Sequence, residues 1–445
     1  MWRRWLVGKV EDKELYMEIL REAVSVVVPV VMVVLLLHVM AVSFLLESIL
    51  YKPEGFERSP LYKTFKNMQG KSILFIMLIG LFWSCQTPVT QNKIETIKVN
   101  LTQAELKLSG VFSDVELVKL ETTDNSLLSM ISKSYLGDSL IFISSAHELF
   151  LFKRSGEFVN KISRIGNGPE EYVRLSDFDV NEAMGEVYIL DKSQQRIVVY
   201  NYDGEYLNTY PVGFWAIKVI KERNDELFLY SGNEESPSND YKINIMKTSS
   251  INDKLFQIDN RKKSYLHVNS TQNFYWNDGM LYFFEAFNDT IYNLTKGAPH
   301  YYISYDGATP DSFFDRDFQN IMSFFQEFNK ANYVNSTYNA FESDDSFFFS
   351  CFYSGVKYFN VYNKDGKSCS SFNTITEDVL FNNYKLPFIN DDFNFWINRK
   401  NEVTYYISAQ QAIENIDIIQ NQKIKQIITD LNEDDNPVAI FCKLK

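Results

Sequence analysis

The sequence is poor in the residues that build covalent or metal-linked frameworks. It contains four cysteines and four histidines among 445 residues. The three cysteines that follow residue 85 are too few for a disulfide framework, so a hydrophobic core must hold the fold together. The three histidines in the same region, His147, His267 and His300, lack the short spacings that metal ligands show. We therefore expect neither a metal nor a cofactor.

Positive charge is also scarce relative to negative charge. Lys and Arg number 44 against 57 Asp and Glu, a net charge of −13 at pH 7. After Cys85, 34 basic residues face 49 acidic ones. An acidic surface repels phosphate backbones and anionic head groups, so the composition excludes nucleic acid as a partner.

Two long apolar runs lie near the N-terminus. The second belongs to "MQGKSILFIMLIGLFWSCQTP", in which one lysine, an apolar run over 73–83 and a serine precede Cys85. This order is typical of a bacterial lipoprotein signal, here at 68–85. Cleavage before Cys85 would free its thiol to carry lipid and so attach the protein to a membrane.

The first apolar run, at 23–46, is long enough to cross a bilayer of about 30 Å. Residues 1–67 are therefore an N-terminal extension with two interpretations. It contains a transmembrane helix, or it is an over-long start before a true initiator at Met68. A lipoprotein signal works at the N-terminus of a chain, which favours the over-long start.

Aromatic residues are abundant, at 16% with 27 Tyr and 36 Phe, which favours β-structure. Three segments alternate apolar residues around a Ser-Gly or Asp-Gly turn, as β-hairpins do: "LFLFKRSGEFVNKI" at 149, "IVVYNYDGEYLNTY" at 197 and "YFNVYNKDGKSCSSF" at 358. Weaker copies begin at 243, 290 and 403. Gly156 and Gly204 are 48 residues apart, a spacing typical of propeller blades.

Six such hairpins predict an all-β fold, a six-bladed β-propeller of four-stranded antiparallel blades. We expect it to span 111–445, after a tether and lead-in at 86–110. Apolar residues at helical spacing predict a helical insertion near 310–333. The terminal "VAIFCKL" alternates as a strand does, and should close the ring by joining the first blade, which removes exposed sheet edges.

Two cysteines test this strand order. Turns after Tyr353 and at Asp365 predict three antiparallel strands, with Cys351 on the first and Cys369 on the third. Strands lie about 4.8 Å apart, so the two cysteines should be roughly 9 to 10 Å apart, beyond the roughly 7 Å that a disulfide bridges. Both should stay reduced, as should Cys442 on the closing strand.

The second blade carries the clearest family pattern. It resembles an NHL repeat through a glycine turn, an aromatic, "VY" then "D", "RI", an aromatic and "DG", which here are Gly166, Gly168, Tyr172, Val187, Tyr188, Asp191, Arg196, Ile197, Tyr200, Asp203 and Gly204. The chain from about residue 100 also resembles the six-bladed propeller lipoproteins common in Bacteroidetes, through "GNGPEEY" at 166 and "NPVAIFCKLK" at 436. The resemblance implies a lipoprotein of the cell envelope, at the outer membrane and facing the periplasm or the cell surface.

Several of these residues also have a structural explanation. Gly166 and Gly168 would allow backbone angles that other residues avoid, and Pro169 would fix the exit from the turn. Asp191 and Arg196 lie on either side of a turn between strands. An ion pair between them would brace the blade.

Candidate ligand-binding residues lie at blade boundaries and beside the glycine turn. Trp215 and Trp276 flank blade boundaries and would either stack on a sugar ring or pack in the core. Arg164, Glu170 and Tyr172 belong to or adjoin the glycine turn and are further candidates.

Two functional hypotheses follow. The first is a lipid-anchored module that binds a glycan, a peptide or a partner protein at one mouth of the ring. The second is a propeller enzyme, a lyase or glycosidase, with carboxylates at the central channel. The sequence nominates no catalytic residue and lacks the Gly-x-Ser-x-Gly elbow of α/β-hydrolases. The binding module is favoured, because the lipoproteins it resembles share no single activity.

Overall fold

The computed structural model describes residues 94–222, 225–234, 236–247, 249–259, 261, 272–335, 339–380, 384–386 and 395–445. The predicted transmembrane helix at 23–46, the predicted signal at 68–85 and Cys85 lie outside these residues. Within the described ranges, no helix has the length and apolarity needed to cross a membrane.

Three strands come first in the described chain, and each pairs with a much later part of the sequence. They are β1 (Glu95–Val99), β2 (Glu105–Lys107) and β3 (Phe112–Lys119). The sequence analysis assigned the first two to a lead-in and did not predict that they join sheets.

Blades 1, 2 and 3 are four-stranded antiparallel sheets, as predicted. Blade 1 contains β4 (Ile131–Leu136), β5 (Leu140–Ser145), β6 (Glu148–Lys153) and β7 (Phe158–Ile162). Blade 2 contains β8 (Asp177–Asn181), β9 (Glu186–Asp191), β10 (Arg196–Asn201) and β11 (Tyr206–Pro211). Blade 3 contains β12 (Lys218–Lys221), β13 (Glu226–Tyr230), β14 (Tyr241–Lys247) and β15 (Ser250–Gln257). The hairpins predicted at 149, 197 and 243 are their third and fourth strands.

Blades 4 and 5 follow the same plan with one addition each. Blade 4 contains β16 (Phe274–Asn277), β17 (Met280–Phe283), β18 (Thr290–Asn293) and β19 (Ala298–Tyr305), and β1 pairs in parallel with β19 as a fifth strand. Blade 5 contains β20 (Val334–Asn335), β21 (Ala340–Glu342), β22 (Ser346–Tyr353), β23 (Val356–Asn363) and β24 (Ser368–Phe372). A small sheet beside them joins β2 to β25 (Thr374–Glu377) and β26 (Tyr384–Leu386).

Blade 6 closes the ring from both ends of the described chain. It contains β27 (Trp396–Ile397), β28 (Glu402–Ile407) and β29 (Val438–Leu444), with β3 as its outer strand. The antiparallel pairing of β29 with β3 confirms that the terminal strand closes the propeller, but it does so in blade 6 and not in the first blade as predicted. The hairpin predicted at 403 is wrong, because β28 is the second strand of its blade and a helical segment separates it from β29.

Two helical segments interrupt the blades. The first contains α1 (Ile321–Lys330), which confirms the insertion predicted near 310–333, and Asn320 with Ser323 forms its capping box. The second contains α2 (Ala409–Glu414) and α3 (Gln422–Thr429) and was not predicted. Short 3-10 turns accompany them and the N-terminal strands, at Leu108–Gly110, Asp311–Phe313 and Ile416–Ile418.

The first full strand of each blade faces the central channel. These inner strands are β4, β8, β12, β16, β21 and β27, and neighbouring inner strands such as β8 and β12 contact one another. The next strand of a blade is buried on both faces, as in the "LIFISS" of β5, because blades pack on each side of it. We call the end of the channel at which the inner strands begin the upper end.

Candidate functional site

A cavity lies at the upper end of the channel, between blades 1, 2 and 3. Its volume is about 370 Å³, within the range of small-ligand sites. We call it the upper cavity. Its wall contains four basic side chains, four serines and a histidine, namely Lys133, Arg174, Lys192, Lys218, Ser132, Ser144, Ser176, Ser193 and His147. One carboxylate, Asp177, also lines it. This concentration of positive charge contrasts with the net negative charge of the whole protein.

The floor of the upper cavity is an ion pair between two inner strands. The Nζ atom of Lys133 on β4 donates to Oδ1 of Asp177 on β8 at 3.0 Å. The other carboxylate oxygen of Asp177 accepts the backbone N–H of Val219 on β12 at 2.9 Å. Asp177 therefore fixes three adjacent blades, and its charge is compensated by Lys133 and a backbone dipole.

Lys218 stands beside this pair at the start of β12. Burial lowers the pKa of its amine, the nearby charge of Asp177 raises it, and the charge of Lys133 lowers it again. An anion beside Lys218 would favour the charged form of its amine. The floor is thus arranged to gain electrostatically from a bound negative group.

The rim of the upper cavity carries an unpaired cation. Arg174 is exposed and, among the described residues, forms no hydrogen bond or ion pair. By contrast, Lys192 on the same rim is bound to Glu234 at 2.5 Å. Arg174 is therefore free to bind a ligand or to attract one from solution.

His147 lines the upper cavity in a backbone conformation that few residues adopt. In the turn between β5 and β6, Ala146 and His147 have φ values of 50° and 66°. The equivalent turn of blade 5, between β22 and β23, is Ser354–Gly355, which suits positive φ. The strained His147 replaces the glycine, and such strain is concentrated at functional sites.

Below the floor lies a second, smaller cavity of about 50 Å³, which we call the lower cavity. Lys133, Asp177 and Lys218 line both cavities, so the two meet at these side chains. The guanidinium of Arg399 lies 4.6 Å from the ring centre of Trp276 and 3.3 Å from Oδ2 of Asp179. Both of these contacting side chains also line the lower cavity.

The channel carboxylates are committed to structure. Asp179, two residues after Asp177 on β8, binds Arg399 and accepts the backbone N–H of Lys221 at 2.7 Å. Asp177 has the equivalent partners Lys133 and Val219. Both carboxylates are therefore occupied in joining neighbouring inner strands. Among the described residues, no group of three or more His, Cys, Asp or Glu is arranged to hold a metal.

The two candidate tryptophans occupy different environments. Trp276 is 8% exposed, belongs to β16 and is covered by Arg399. Trp215 is 39% exposed and precedes by two residues Ile217, which lines the upper cavity. Trp215 is therefore accessible to solvent but does not line the upper cavity, whereas the Trp276 ring is covered on one face.

The glycine turn of "GNGPEEY" forms a structural clamp. The carboxylate of Glu171 accepts the backbone N–H of Gly168 at 2.8 Å, and a Cβ on Gly166 would lie 2.0 Å from it. Neither glycine has a positive φ, so the predicted reason for them is wrong, and a side chain at Gly166 would instead displace the carboxylate of Glu171 from the amide of Gly168. Pro169 accepts a hydrogen bond from Thr209 through its carbonyl.

The other candidates at this turn also bind neighbouring backbone. Tyr172 is fully buried and its hydroxyl donates to the carbonyl of Ile162 at 2.9 Å, so it cannot contact a ligand in solvent. Arg164 donates to the carbonyl of Gly204 at 2.9 Å and lies 3.7 Å from Glu170. Both charged side chains are exposed, and neither lines the upper cavity.

The ion pair predicted between Asp191 and Arg196 is replaced by contacts to backbone. Asp191 accepts the amides of Val173, Ser193 and Gln194 at 2.7 to 3.3 Å. Arg196 donates to the carbonyls of Gly168 and Glu171 at 2.8 and 2.6 Å. Buried amides and carbonyls need partners more than an exposed ion pair does, which explains the exchange.

The sequence analysis did not identify the upper cavity. Lys133 and Asp177 are 44 residues apart, so no local motif joins them. One signal is present: the turn at 146–147 carries Ala-His where the equivalent turn of blade 5 carries Ser-Gly.

Comparison with known proteins agrees with this architecture. A family model described as Domain of unknown function (DUF4934) matches residues 93–443. The chain belongs to the DUF4934 family. No curated protein matches it. The crystal structure of a protein of Bacteroides fragilis named as exported is similar, with a TM-score of 0.63, 19% identity, 79% of this chain covered and 100% of that chain. At this identity the similarity establishes the shared propeller fold alone.

Two further structures score lower. A member of the DUF4221 family from Bacteroides vulgatus has a TM-score of 0.43 and 10% identity, over 75% of this chain and 97% of that one. Virginiamycin B lyase from Staphylococcus aureus has a TM-score of 0.34 and 10% identity, over 74% and 99%. Scores this low carry no functional argument, so a DUF4934 function must be derived from the site.

Proposed function

We propose that this chain is a lipid-anchored extracytoplasmic propeller that binds a small anionic ligand in the upper cavity. The observation that carries the proposal is the excess of basic side chains there in a protein whose net charge is −13. Lys133 and Lys218 offer charge at the floor, and Arg174 offers it at the rim. A cleft of one charge sign concentrates ligands of the opposite sign and speeds their capture.

The location rests on the order of features around Cys85 and on similarity. Residues 68–85 match a lipoprotein signal, and the resembling lipoproteins belong to the cell envelope of Bacteroidetes. The similar structure from Bacteroides fragilis is of a protein named as exported. The same support applies to an outer-membrane position, facing the periplasm or the cell surface. The NHL-like pattern of blade 2 stays a prediction from its residues.

Binding is favoured over catalysis by the contacts of the channel carboxylates. A lyase or glycosidase would need acid and base groups free to exchange protons with a substrate. Asp177 and Asp179 are instead held by Lys133 and Arg399. Each carboxylate also accepts a backbone N–H of the neighbouring inner strand, from Val219 or Lys221. This structural role explains the position of both carboxylates without a reaction.

An array of neutral and acidic saccharides and peptides tests the proposal. We expect the full chain in detergent to bind acid-bearing members saturably, to return them unchanged, and to bind more weakly as salt rises. Arg174→Glu should weaken binding about tenfold or more, because it turns an attraction into a repulsion. Lys296→Glu is the matched control, since Lys296 is exposed on a turn of blade 4. Binding of neutral members alone would contradict the proposal, and turnover of any member would favour the enzyme.

A further inference from the structure

Two residues that line the lower cavity each have a buried polar atom without a hydrogen-bond partner among the described residues. These atoms are Oδ1 of Asn273 and Nε of Arg399. Asn273 is 3% exposed, and its Nδ2 donates to the carbonyl of Phe284 at 3.2 Å. That bond fixes the amide, so Oδ1 is left as an acceptor.

An acceptor and a donor that share a small cavity call for a group that can both donate and accept. A hydroxyl does both, whereas a carboxylate only accepts and a methyl group does neither. Buried polar atoms left without a partner are costly, so the lower cavity discriminates among groups that enter it.

The wall above also favours hydroxyl-rich ligands. Four serines line the upper cavity together with the basic side chains. Leu175 and Ile217 are its apolar members, too few to bind a hydrophobic ligand. The upper cavity, at about 370 Å³, suits one sugar ring, and the lower cavity, at about 50 Å³, suits one small substituent of that ring. Arg399 packs on Trp276 in the wall of the lower cavity, which leaves no room for a longer chain to pass through.

We infer that the anionic ligand is an acidic saccharide of the uronic acid class, and this inference rests on the proposed function. Its carboxylate lies between Lys133 and Lys218 at the floor. One of its hydroxyls reaches into the lower cavity, donates to Oδ1 of Asn273 and accepts from Nε of Arg399. The serines bind the hydroxyls that remain in the upper cavity.

Titration calorimetry of the full chain in detergent tests this with three probes. Glucuronate has a ring, hydroxyls and a charge, cyclohexanecarboxylate lacks the hydroxyls, and glucose lacks the charge. We expect glucuronate to bind about tenfold or more tightly than either of the others, since each lacks one set of contacts. A triglutamate peptide serves as a fourth probe and should bind more weakly than glucuronate.

A matched pair of variants tests the lower cavity. Asn273→Leu removes the acceptor and should abolish the advantage of glucuronate over cyclohexanecarboxylate. Asn244→Leu is the control, because Asn244 is 1% exposed, also has an Oδ1 without a partner among the described residues, and lines neither cavity. If Asn273→Leu does not fold, Arg399→Lys keeps the charge, removes Nε, and should reduce the same advantage.

Each other outcome identifies the step that fails. Equal binding of glucuronate and cyclohexanecarboxylate would overturn the saccharide while leaving an anion site. Tighter binding of triglutamate than of glucuronate would overturn the inferred saccharide and favour an acidic peptide as the ligand. An unchanged advantage in both variants would mean that water occupies the lower cavity, against the inferred hydroxyl contact. Absence of saturable binding by every probe would overturn the proposed function as well.

Discussion

The Nζ atom of Lys133 lies 3.0 Å from Oδ1 of Asp177, and this contact joins the inner strands of blades 1 and 2. The two side chains are 14% and 2% exposed, so the pair is largely removed from water. Because the pair also forms the floor between the two cavities, it couples the stability of the ring to the chemistry of the site.

Lys133→Met should destabilise the protein strongly. The change leaves the buried carboxylate of Asp177 without its cation, which costs about 3 kcal/mol of the free energy of unfolding. Adding Asp177→Asn should recover part of that loss, since the uncompensated charge is then removed. Urea unfolding measures both effects.

Lys153→Met provides the comparison for Lys133→Met. Lys153 pairs with Glu157 on the surface, where the side chains are 52% and 57% exposed, so its loss should change stability by less than about 1 kcal/mol. Equal losses in the two variants would contradict the account of Lys133 as part of a buried floor.

Glu342 should make the protein sensitive to acid. Burial raises the pKa of this carboxyl, but hydrogen bonds and charges from His300 and Lys364 outweigh burial and hold it below its ordinary value of 4.5. A lowered pKa in the folded state stabilises the protein above about pH 5 and loses that effect as the pH falls further. Glu342→Gln should therefore lower the melting temperature at pH 7 and have a progressively smaller effect below pH 4.5.

Glu414→Gln on the exposed side of α2 is the control for that pH series. Its melting temperature should follow the wild type at every pH. A constant difference between Glu342→Gln and the wild type from pH 7 to pH 3 would show that Glu342 does not titrate with the folded state.

The cysteines of the propeller should react slowly and separately. Cys351, Cys369 and Cys442 are free, as predicted. On the strand between them, β23, Cys351 is paired with Tyr358 and Cys369 with Tyr362. The two cysteines are therefore offset by four residues, or about 13 Å, along the strand direction, in addition to the predicted separation across the strands. Burial raises the pKa of the thiols of Cys351 and Cys369 to about 12.

Alkylation followed by mass spectrometry checks this prediction. Peptides with these three cysteines should be modified slowly in the native protein and fully after unfolding without reductant. Recovery of a disulfide-linked peptide pair from the unreduced protein would mean that the strand order of blade 5 is wrong.

The sequence predicts a blade correctly where one short segment contains both the turn and the alternating apolar residues of a hairpin. Hairpins such as that at 197 combine an Asp-Gly turn with apolar residues at every second position, and these interactions need no distant partner. The helical segment after β28 was missed although its capping box, Ser408 with Gln411, is also local. The segment at 403 lies about one blade period after the hairpin at 358, and this spacing favours a further hairpin over a helix.

Features that depend on ring closure could not be predicted. The partners of β1 and β2 lie more than 200 residues later, at Tyr301 and Ile375 among others. The upper cavity forms because residues at the same position of successive inner strands are brought together by the ring. Lys133 and Lys218 had no sequence neighbour that marked them.

Lipid attachment is open to a direct test. A chain that starts at Met68 should incorporate labelled fatty acid and partition into detergent, because Cys85 would then carry the lipid. Cys85→Ala should abolish both effects. Equal labelling of the Ala variant would contradict the lipoprotein hypothesis and favour the apolar run at 23–46 as the anchor.

A crystal structure of the protein grown with saturating glucuronate tests the central claim most directly. The account predicts electron density for one sugar ring in the upper cavity, with its carboxylate within about 3.2 Å of the Nζ atoms of Lys133 and Lys218. Density on any other face of the propeller, or ordered water alone in the upper cavity at that concentration, would contradict it.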